Sequence, residues 1–242
     1  KLHFEPSDVH NVVALAKFRE EPIPETQDEV TAGWDAEAAG WDTNAHVRAY
    51  SECAFAHFKR LVSKILSLDE PAVEAWLKNA TVLDFGCGTG MLTEQLQGIC
   101  KSVVALDASE KMVEVLQQKI SKRKWPNVVA GAAIVTSESV SGVAALQTGP
   151  FDIIVASSVL TFIPELADTL TGLGTVLKSD GHVIHFDWIT KEANYRKGFN
   201  KESAAGIYTA AGLTQVVSEN VTFDMLEMKA PVYVGVAKKL NQ

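Results

Sequence analysis

Three glycines at alternate positions form the pattern in this sequence that most clearly indicates chemistry. Gly86, Gly88 and Gly90 directly follow an apolar, strand-like segment at 81–85, and a helix-like segment begins at Met91. Glycine tolerates positive φ and lets a ligand lie against the main chain. A strand, a glycine turn and a helix in this order are typical of a loop that binds a nucleotide cofactor.

Two carboxylates beside this loop narrow the kind of cofactor. Glycines of a dinucleotide site occupy the first, third and sixth positions, but the sixth position from Gly86 is Met91. Asp84, two residues before Gly86, would repel a pyrophosphate and attract an ammonium group. Asp107 ends the next predicted strand, where a carboxylate can accept hydrogen bonds from both ribose hydroxyls. The pattern favours a nucleoside with a free ribose and an amino-acid cation.

At these residues the sequence resembles the class I S-adenosylmethionine-dependent methyltransferases, and residues 157–164 resemble the small-molecule branch of that family. Residues 84–90 resemble the first family motif, and Asp107 occupies the second acidic position. Residues 151–160 and 177–182 resemble the fourth strand and the turn before the fifth. The similarity extends over residues 81–239. It implies a Rossmann-like doubly wound α/β fold, S-adenosylmethionine as cofactor and S-adenosylhomocysteine as product.

The resemblance also implies where the cofactor binds. Asp84 would lie near its amino group, Asp107 would hold the ribose hydroxyls, and Ser157 would contact the methionine part. The family often has an acidic residue after the third strand, and here either Glu138 or backbone contacts at Ala133 and Ile134 would replace it. The implied cofactor residues in the core are Asp84, Gly86, Cys87, Gly88, Thr89, Gly90, Asp107, Ala108, Ser109, Met112, Ala133, Ile134 and Ser157.

Two Trp-Asp pairs, Trp34-Asp35 and Trp41-Asp42, lie close together before the predicted core. The indoles either fill gaps between an N-terminal helix and the core or form a lid over a ligand. In the second interpretation Trp41 contacts the cofactor and Trp34 contacts the methyl acceptor. Arg48 and Tyr50 would then reach the cofactor carboxylate from the lid, although a surface ion pair is an equally good interpretation of Arg48.

The end of the fifth predicted strand carries His185, Phe186, Asp187 and Trp188. Strand alternation places His185 and Asp187 on one side and the two aromatic residues on the other. His185 or Asp187 could take a proton from the acceptor. The alternative is a buried His–Asp hydrogen bond. Trp188 and Phe162 are the remaining predicted acceptor contacts.

The segment after the fourth strand bears on the acceptor. Family members that methylate amide or base amino groups often carry an Asn/Asp-Pro-Pro-aromatic motif there, whereas this chain reads Ser-Ser-Val-Leu-Thr-Phe-Ile-Pro at 157–164. We therefore predict a methyltransferase acting on an O, N or S atom of a small molecule. An inactive cofactor-binding subunit and a protein methyltransferase remain alternatives, and an NAD-dependent oxidoreductase is a weaker one.

The elements that would position these residues alternate along the chain after residue 80. We predict a mostly parallel seven-stranded sheet with an antiparallel edge. Residues 1–78 would form an arm and helical lid, and 79–242 the cofactor-binding core. Predicted strands are 81–85, 102–106, 128–135, 151–156, 181–186, 214–221 and 232–238. Predicted helices are 45–66, 70–77, 91–98, 109–123, 165–177 and 200–211, with a further short helical piece within 1–30.

Composition limits the partners. The chain has 242 residues, 47% of them hydrophobic, and a formal net charge of -8. The acidic balance disfavours nucleic acid as a partner, and no apolar run approaches the ~20 residues of a membrane span. The spacing of the three cysteines fits no metal motif, so no metal is expected. An odd number of cysteines is most simply explained by reduced thiols, so a cytoplasmic location is predicted. The oligomeric state stays open.

Overall fold

The computed structural model describes residues 24–192 and 194–239 and shows one seven-stranded sheet with helices on both faces. This is the predicted α/β architecture. The strands are β1 Thr81–Phe85, β2 Ser102–Asp107, β3 Val128–Ala132, β4 Phe151–Ser157, β5 Leu177–Trp188, β6 Leu213–Met225 and β7 Met228–Lys239.

Seven α-helices lie within the described residues, and capping side chains begin most of them. Asn44 caps the second helix, Asp69 the third and Ser109 the fifth, each accepting a hydrogen bond from a first-turn backbone N–H. The helices are α1 Gln27–Glu37, α2 Ala45–Leu66, α3 Glu70–Leu77, α4 Met91–Gln97, α5 Glu110–Arg123, α6 Leu166–Val176 and α7 Lys201–Ala210. The predicted bounds of α2 and α3 are confirmed.

The strand order is β3-β2-β1-β4-β5-β7-β6. The first five strands in this order, β3, β2, β1, β4 and β5, are parallel, whereas β7 runs antiparallel to both of its neighbours, β5 and β6. The order reverses between β1 and β4, where Val82 pairs with Val103 on one side and Ile153 on the other. In doubly wound sheets, ligands bind at the carboxyl ends of the strands beside this reversal.

Apolar side chains on each face of the sheet form a separate core. On one face Phe58 and Leu61 of α2 pack with strand residues such as Phe186. On the other face Leu170 of α6 and Tyr208 of α7 pack with Leu83. Described helices therefore cover both faces of the sheet, which leaves the edge of the sheet for a ligand site.

Several strands end at other residues than predicted, because hydrogen bonding to a neighbouring strand determines where each strand ends. β3 stops at Ala132, not Val135, because its partner β2 ends at Asp107. β5 continues to Trp188 because β7 pairs with it as far as Val232. Most of 222–231, predicted as a connection, instead continues the two strands of a hairpin, with Leu226 at φ 52° in its turn.

The predicted arm within 1–30 lies mainly outside the described residues. Its described end includes the start of α1, where Thr26 and Glu29 form a capping box. No helix within residues 24–192 and 194–239 combines the length and apolarity that crossing a membrane requires.

Candidate functional site

A cavity of about 170 Å³ lies at the carboxyl edge of the sheet beside the β1–β4 reversal. The structure brings all three predicted acceptor residues, Trp34, Phe162 and Trp188, to its wall. Most of the predicted cofactor residues line the same cavity, namely Trp41, Asp84, Gly86, Cys87, Gly88, Thr89, Asp107, Ala108, Met112, Ala133, Ile134 and Ser157.

The first two glycines of the loop let the backbone turn tightly under the cavity. Gly86 has φ 71°, and a Cβ there would lie 2.2 Å from the Val159 side chain. Gly88 has φ 54°, and a Cβ there would lie 3.8 Å from Nε1 of Trp41. The Gly86 N–H donates to the Leu106 carbonyl at 2.7 Å, which fixes the turn on β2. Position 86 therefore favours glycine for both its conformation and its small size, whereas position 88 favours it for its conformation.

Two predicted cofactor residues, Gly90 and Ser109, do not line the cavity. Gly90 has φ 87°, and a Cβ there would lie 2.4 Å from Leu116 Cδ1, so this glycine lets α4 approach α5 closely. Ser109 is fully buried as the N-cap of α5, with its Oγ accepting from the Met112 N–H at 3.0 Å. Both residues shape the cavity from behind its wall.

The two predicted carboxylates lie on the wall of the cavity. Asp107 Oδ2 accepts from the Gly88 N–H at 2.8 Å, and its Oδ1 accepts from the Ser109 N–H at 2.9 Å. Burial raises the pKa of Asp107, and these backbone donors oppose the rise. Asp107 therefore joins the glycine loop to the start of α5 while remaining on the cavity wall.

Asp84 is the more deeply buried carboxylate. Its Oδ2 accepts from Thr93 Oγ1 at 2.5 Å. Burial raises the pKa of Asp84 to about 7; the Thr93 hydrogen bond opposes the rise and the nearby Asp107 charge adds to it. Ionised Asp84 would therefore gain from a cationic group in the cavity.

The two Trp-Asp pairs share one arrangement, in which the indole faces the cavity and the carboxylate binds the core. Trp34 makes edge-to-face contacts with Trp41 at 5.3 Å and with Phe162 at 5.2 Å between ring centroids. Asp35 Oδ1 accepts from Ser109 Oγ at 2.5 Å. The indoles thus lie over the loops that carry the predicted cofactor residues.

Asp42 makes the second connection between this N-terminal segment and the core. Its Oδ1 accepts from Thr89 Oγ1 at 2.6 Å, and its Oδ2 lies 2.6 Å from Nζ of Lys119. Lys119 Nζ also donates to the Thr89 carbonyl at 2.8 Å. Asp42, Thr89 and Lys119 are called the Asp42 latch below.

Of the other residues that the sequence suggested as cofactor contacts, some line the cavity and others do not. Arg48 is exposed and donates to the Asp42 carbonyl at 3.2 Å, away from the cavity. Tyr50 does line the cavity. Glu138 is exposed and off the wall, whereas Ala133 and Ile134 lie on it.

His185 and Asp187, the predicted proton acceptors, are fully buried and do not line the cavity. His185 Nδ1 lies 2.8 Å from Asp187 Oδ2, and its Nε2 lies 2.5 Å from the Tyr208 hydroxyl. Burial raises the pKa of Asp187, and His185 opposes the rise. Strand alternation turns both side chains toward α7, so the buried-pair alternative describes their geometry.

Polar residues that the sequence analysis did not select also line the cavity, among them Gln27, Ser51, Ser158 and Thr169. Ser158 adopts φ 57°, a left-handed conformation that is uncommon outside glycine. A serine has no sequence signature for this conformation. Its position one residue beyond the end of β4 was the only available signal.

No group of three or more His, Cys, Asp or Glu side chains is placed to hold a metal ion in the part of the chain that the structure describes.

Comparison with known proteins gives the family. A family model described as a methyltransferase domain matches residues 83–185, which include the glycine loop and β2 to β5. In this matched part, the chain is a class I S-adenosylmethionine-dependent methyltransferase domain. It is 31% identical over 116 residues to an uncharacterized methyltransferase of Schizosaccharomyces pombe, covering 47% of this chain and 41% of that protein.

Two further comparisons extend this result. A ubiquinone biosynthesis O-methyltransferase of Ralstonia nicotianae is 27% identical over 145 residues, covering 60% of this chain and 54% of that protein. The chain thus spans 41% and 54% of the lengths of these two curated relatives. The crystal structure of an Anabaena variabilis SAM-dependent methyltransferase superposes with a TM-score of 0.64 at 14% identity, over 92% of this chain and 100% of that one, and shows the same fold.

Proposed function

We propose that this protein transfers a methyl group from S-adenosylmethionine to an O, N or S atom of a small-molecule acceptor. The observation that carries the proposal is a single cavity that combines the glycine loop and its two carboxylates with an aromatic wall. The family assignment supports the cofactor. The matched relative named as a ubiquinone biosynthesis O-methyltransferase supports an acceptor that is a small molecule.

The residues present suit this cofactor. Gly88 leaves room for a ligand beside the loop, Asp107 would accept from ribose hydroxyls, and Asp84 would face an ammonium group. No Lys, Arg or His is among the described residues that line the cavity, so the wall favours a cation over a phosphate. When bound, the sulfonium supplies an activated methyl group. The proposed cofactor contacts are the twelve predicted residues on the cavity wall, of which Trp41 belongs to the N-terminal segment and the other eleven to the core.

The chain's own contribution is positioning and exclusion of water. The indoles of Trp34 and Trp41 cover the cavity, and Phe162 extends the aromatic wall toward β4. An oriented nucleophile gains much of its reactivity from alignment alone. We propose that no dedicated base is required, because His185 and Asp187 lie behind the wall. We also propose that no metal takes part.

We further propose that residues 1–78 act as the lid and 79–242 as the core. The two Asp contacts from the Trp-Asp pairs to the core support this division. Cytoplasmic location is proposed on the free thiols of Cys53, Cys87 and Cys100.

Calorimetric titration with S-adenosylhomocysteine and, separately, with NAD tests the cofactor. We expect S-adenosylhomocysteine to bind and NAD not to bind. Methyl transfer from labelled S-adenosylmethionine to a panel of small phenols, amines and thiols tests the activity. Transfer only to protein would favour a protein methyltransferase, and binding without any transfer would favour an inactive cofactor-binding subunit.

A further inference from the structure

The cavity has a polar corner apart from the glycine loop. Most of the predicted cofactor residues lie at or just after the ends of β1, β2 and β3, and Ser157 ends β4; Ser158 follows Ser157, and Trp188 ends β5. Tyr50 of α2 covers this corner, with its ring centroid 6.1 Å from that of Trp188 and 4.9 Å from that of Phe223. Tyr50, Ser158 and Trp188 are called the β4–β5 corner below.

The two hydroxyls of the corner lie beside each other, and neither has a hydrogen bond of normal geometry to another described residue. The Tyr50 hydroxyl and Ser158 Oγ are both buried. Ser158 lies beside the phenol and favours its ionised form, but burial raises the pKa of Tyr50 far more. The Tyr50 phenol therefore keeps its proton near neutral pH. Buried hydroxyls without partners are rare in folded proteins, so they point to a ligand that supplies the partner.

The backbone at Ser158 is consistent with a functional role. Its φ of 57° is unfavourable for serine, yet the Ser158 N–H donates to the Phe186 carbonyl at 2.7 Å and holds the residue there. Backbone strain of this kind persists where the surroundings maintain it, and it is concentrated at binding sites. The turn at Ser158 places the residue on the cavity wall.

The charge of the wall restricts what can bind beside these hydroxyls. Asp84 and Asp107 are the charged residues among the described lining residues. Asp187 lies behind the corner and further disfavours a negative charge at Tyr50. A carboxylate or phosphate on the acceptor would enter without a cationic partner from the described wall, which is costly in a buried site. An uncharged polar group incurs no such cost.

We propose that the Tyr50 and Ser158 hydroxyls form a subsite that hydrogen-bonds a polar atom of an uncharged acceptor with a flat apolar body. The aromatic side chains of Trp34, Phe162 and Trp188 provide the apolar surface for that body. Tyr50 donates and Ser158 either donates or accepts, so the pair fits a hydroxyl or carbonyl oxygen. This subsite rests on the proposed function, because it identifies the acceptor's end of the same cavity.

The test uses the full chain, saturated with S-adenosylhomocysteine and titrated by calorimetry with 2-naphthol and with naphthalene-2-carboxylate. We expect 2-naphthol to bind at least about tenfold more tightly than the carboxylate. Tyr50→Phe and Ser158→Ala should each weaken the binding of 2-naphthol about 3- to 10-fold, which corresponds to the loss of one neutral hydrogen bond. Tyr195→Phe, which removes a phenolic hydroxyl away from the cavity wall, should leave the affinity unchanged.

The outcomes that overturn the subsite are distinct. Equal or tighter binding of the carboxylate would refute an uncharged acceptor, and unchanged 2-naphthol affinity in both variants would refute the hydroxyl pair. Weaker S-adenosylhomocysteine binding in Tyr50→Phe, without an effect on 2-naphthol, would assign the pair to the cofactor. A wild-type chain that discriminates between the probes but does not bind S-adenosylhomocysteine would refute the proposed function and leave the subsite standing.

Discussion

Asp84 lies at the end of β1 with almost no contact with water, and burial raises its pKa to about 7. Below that pH the free protein holds Asp84 protonated, and a neutral carboxyl group attracts an ammonium group only weakly. As the pH is raised toward 7, we expect the affinity for S-adenosylhomocysteine to increase about tenfold per pH unit. Above pH 7 the affinity should stay constant. Calorimetry between pH 5.5 and 7.5 measures this. In Asp84→Asn the dependence should disappear, and a persistent slope would assign it to another group.

The same shift affects the stability of the ligand-free protein. Because the folded pKa of Asp84 lies above its ordinary value of 3.8, the folded chain binds more protons than the unfolded chain in that interval. The contribution of Asp84 to the free energy of unfolding is therefore largest in acid. It is lost as pH rises from about 4 to 7. A cationic ligand restores it at neutral pH.

Asp107 combines a structural and a binding role at one carboxylate. Asp107→Ala should weaken the binding of S-adenosylhomocysteine by ~1–3 kcal/mol, because the variant loses both the ribose contacts and the hydrogen bond that anchors the loop. Asp152→Ala is the matched control. Asp152 also accepts from a backbone N–H, that of Thr81 at 2.8 Å, but away from the cavity wall. Asp152→Ala should be less stable than the wild type but should bind S-adenosylhomocysteine with the same affinity. If Asp107→Ala binds S-adenosylhomocysteine as tightly as Asp152→Ala does, Asp107 is not part of the site.

At the scale of elements, the Asp42 latch connects the N-terminal segment to two parts of the core. It joins the short helix Trp41–Thr43 to the glycine loop and to α5. The Asp42 and Lys119 side chains are only one third and 15% exposed, so their ion pair is less screened than a surface pair. The latch therefore couples the position of Trp41 to the loop beneath it.

Removal of the latch should release the ligand faster. We expect Asp42→Ala to raise the S-adenosylhomocysteine dissociation rate about 3- to 10-fold, as measured by stopped-flow tryptophan fluorescence. Glu114→Ala is the control, because it removes an exposed ion pair to Lys111 on the same helix. If both variants release the ligand at the same rate as the wild type, the segment does not act as a lid.

The elements themselves were largely predictable, because their signals are local. Capping residues such as Asn44 and Asp69 mark helix starts wherever the chain goes next. The end of β3 was not predictable, because 128–135 is uniformly apolar and only the end of β2 stops the pairing. The same reasoning applies to β5, whose last residues are paired by a strand more than forty residues later.

At the scale of the whole molecule, His185 belongs to a contact between three elements. It lies on β5 opposite Gly235 of β7 and beside Tyr208 of α7. A Cβ at Gly235 would lie 2.1 Å from His185 Nε2 and 2.2 Å from the Tyr208 hydroxyl. Insertion of β7 into the sheet thus depends on glycine at this position.

Gly235→Ala should accordingly destabilise the protein by ~1–3 kcal/mol, since the added Cβ would overlap two buried side chains. Gly206→Ala is the control, because a Cβ at this α7 position meets nothing within 4 Å. That variant should be neutral or stabilised by ~0.5–1 kcal/mol through the helix propensity of alanine. Urea denaturation compares the two. Similar stabilities would show that the sheet tolerates a side chain at Gly235.

The fold class and the cofactor loop were predictable from local patterns, because 84–90 and Asp107 act through backbone conformation and charge that neighbouring residues specify. Which side chains face the cavity depends on how distant elements pack. This packing turned His185 and Asp187 away, moved Gly90 and Ser109 behind the wall, and left the Tyr50 and Ser158 hydroxyls on it. The physical reason is that solvent and ligand access depend on packing between distant elements, which local sequence patterns do not encode.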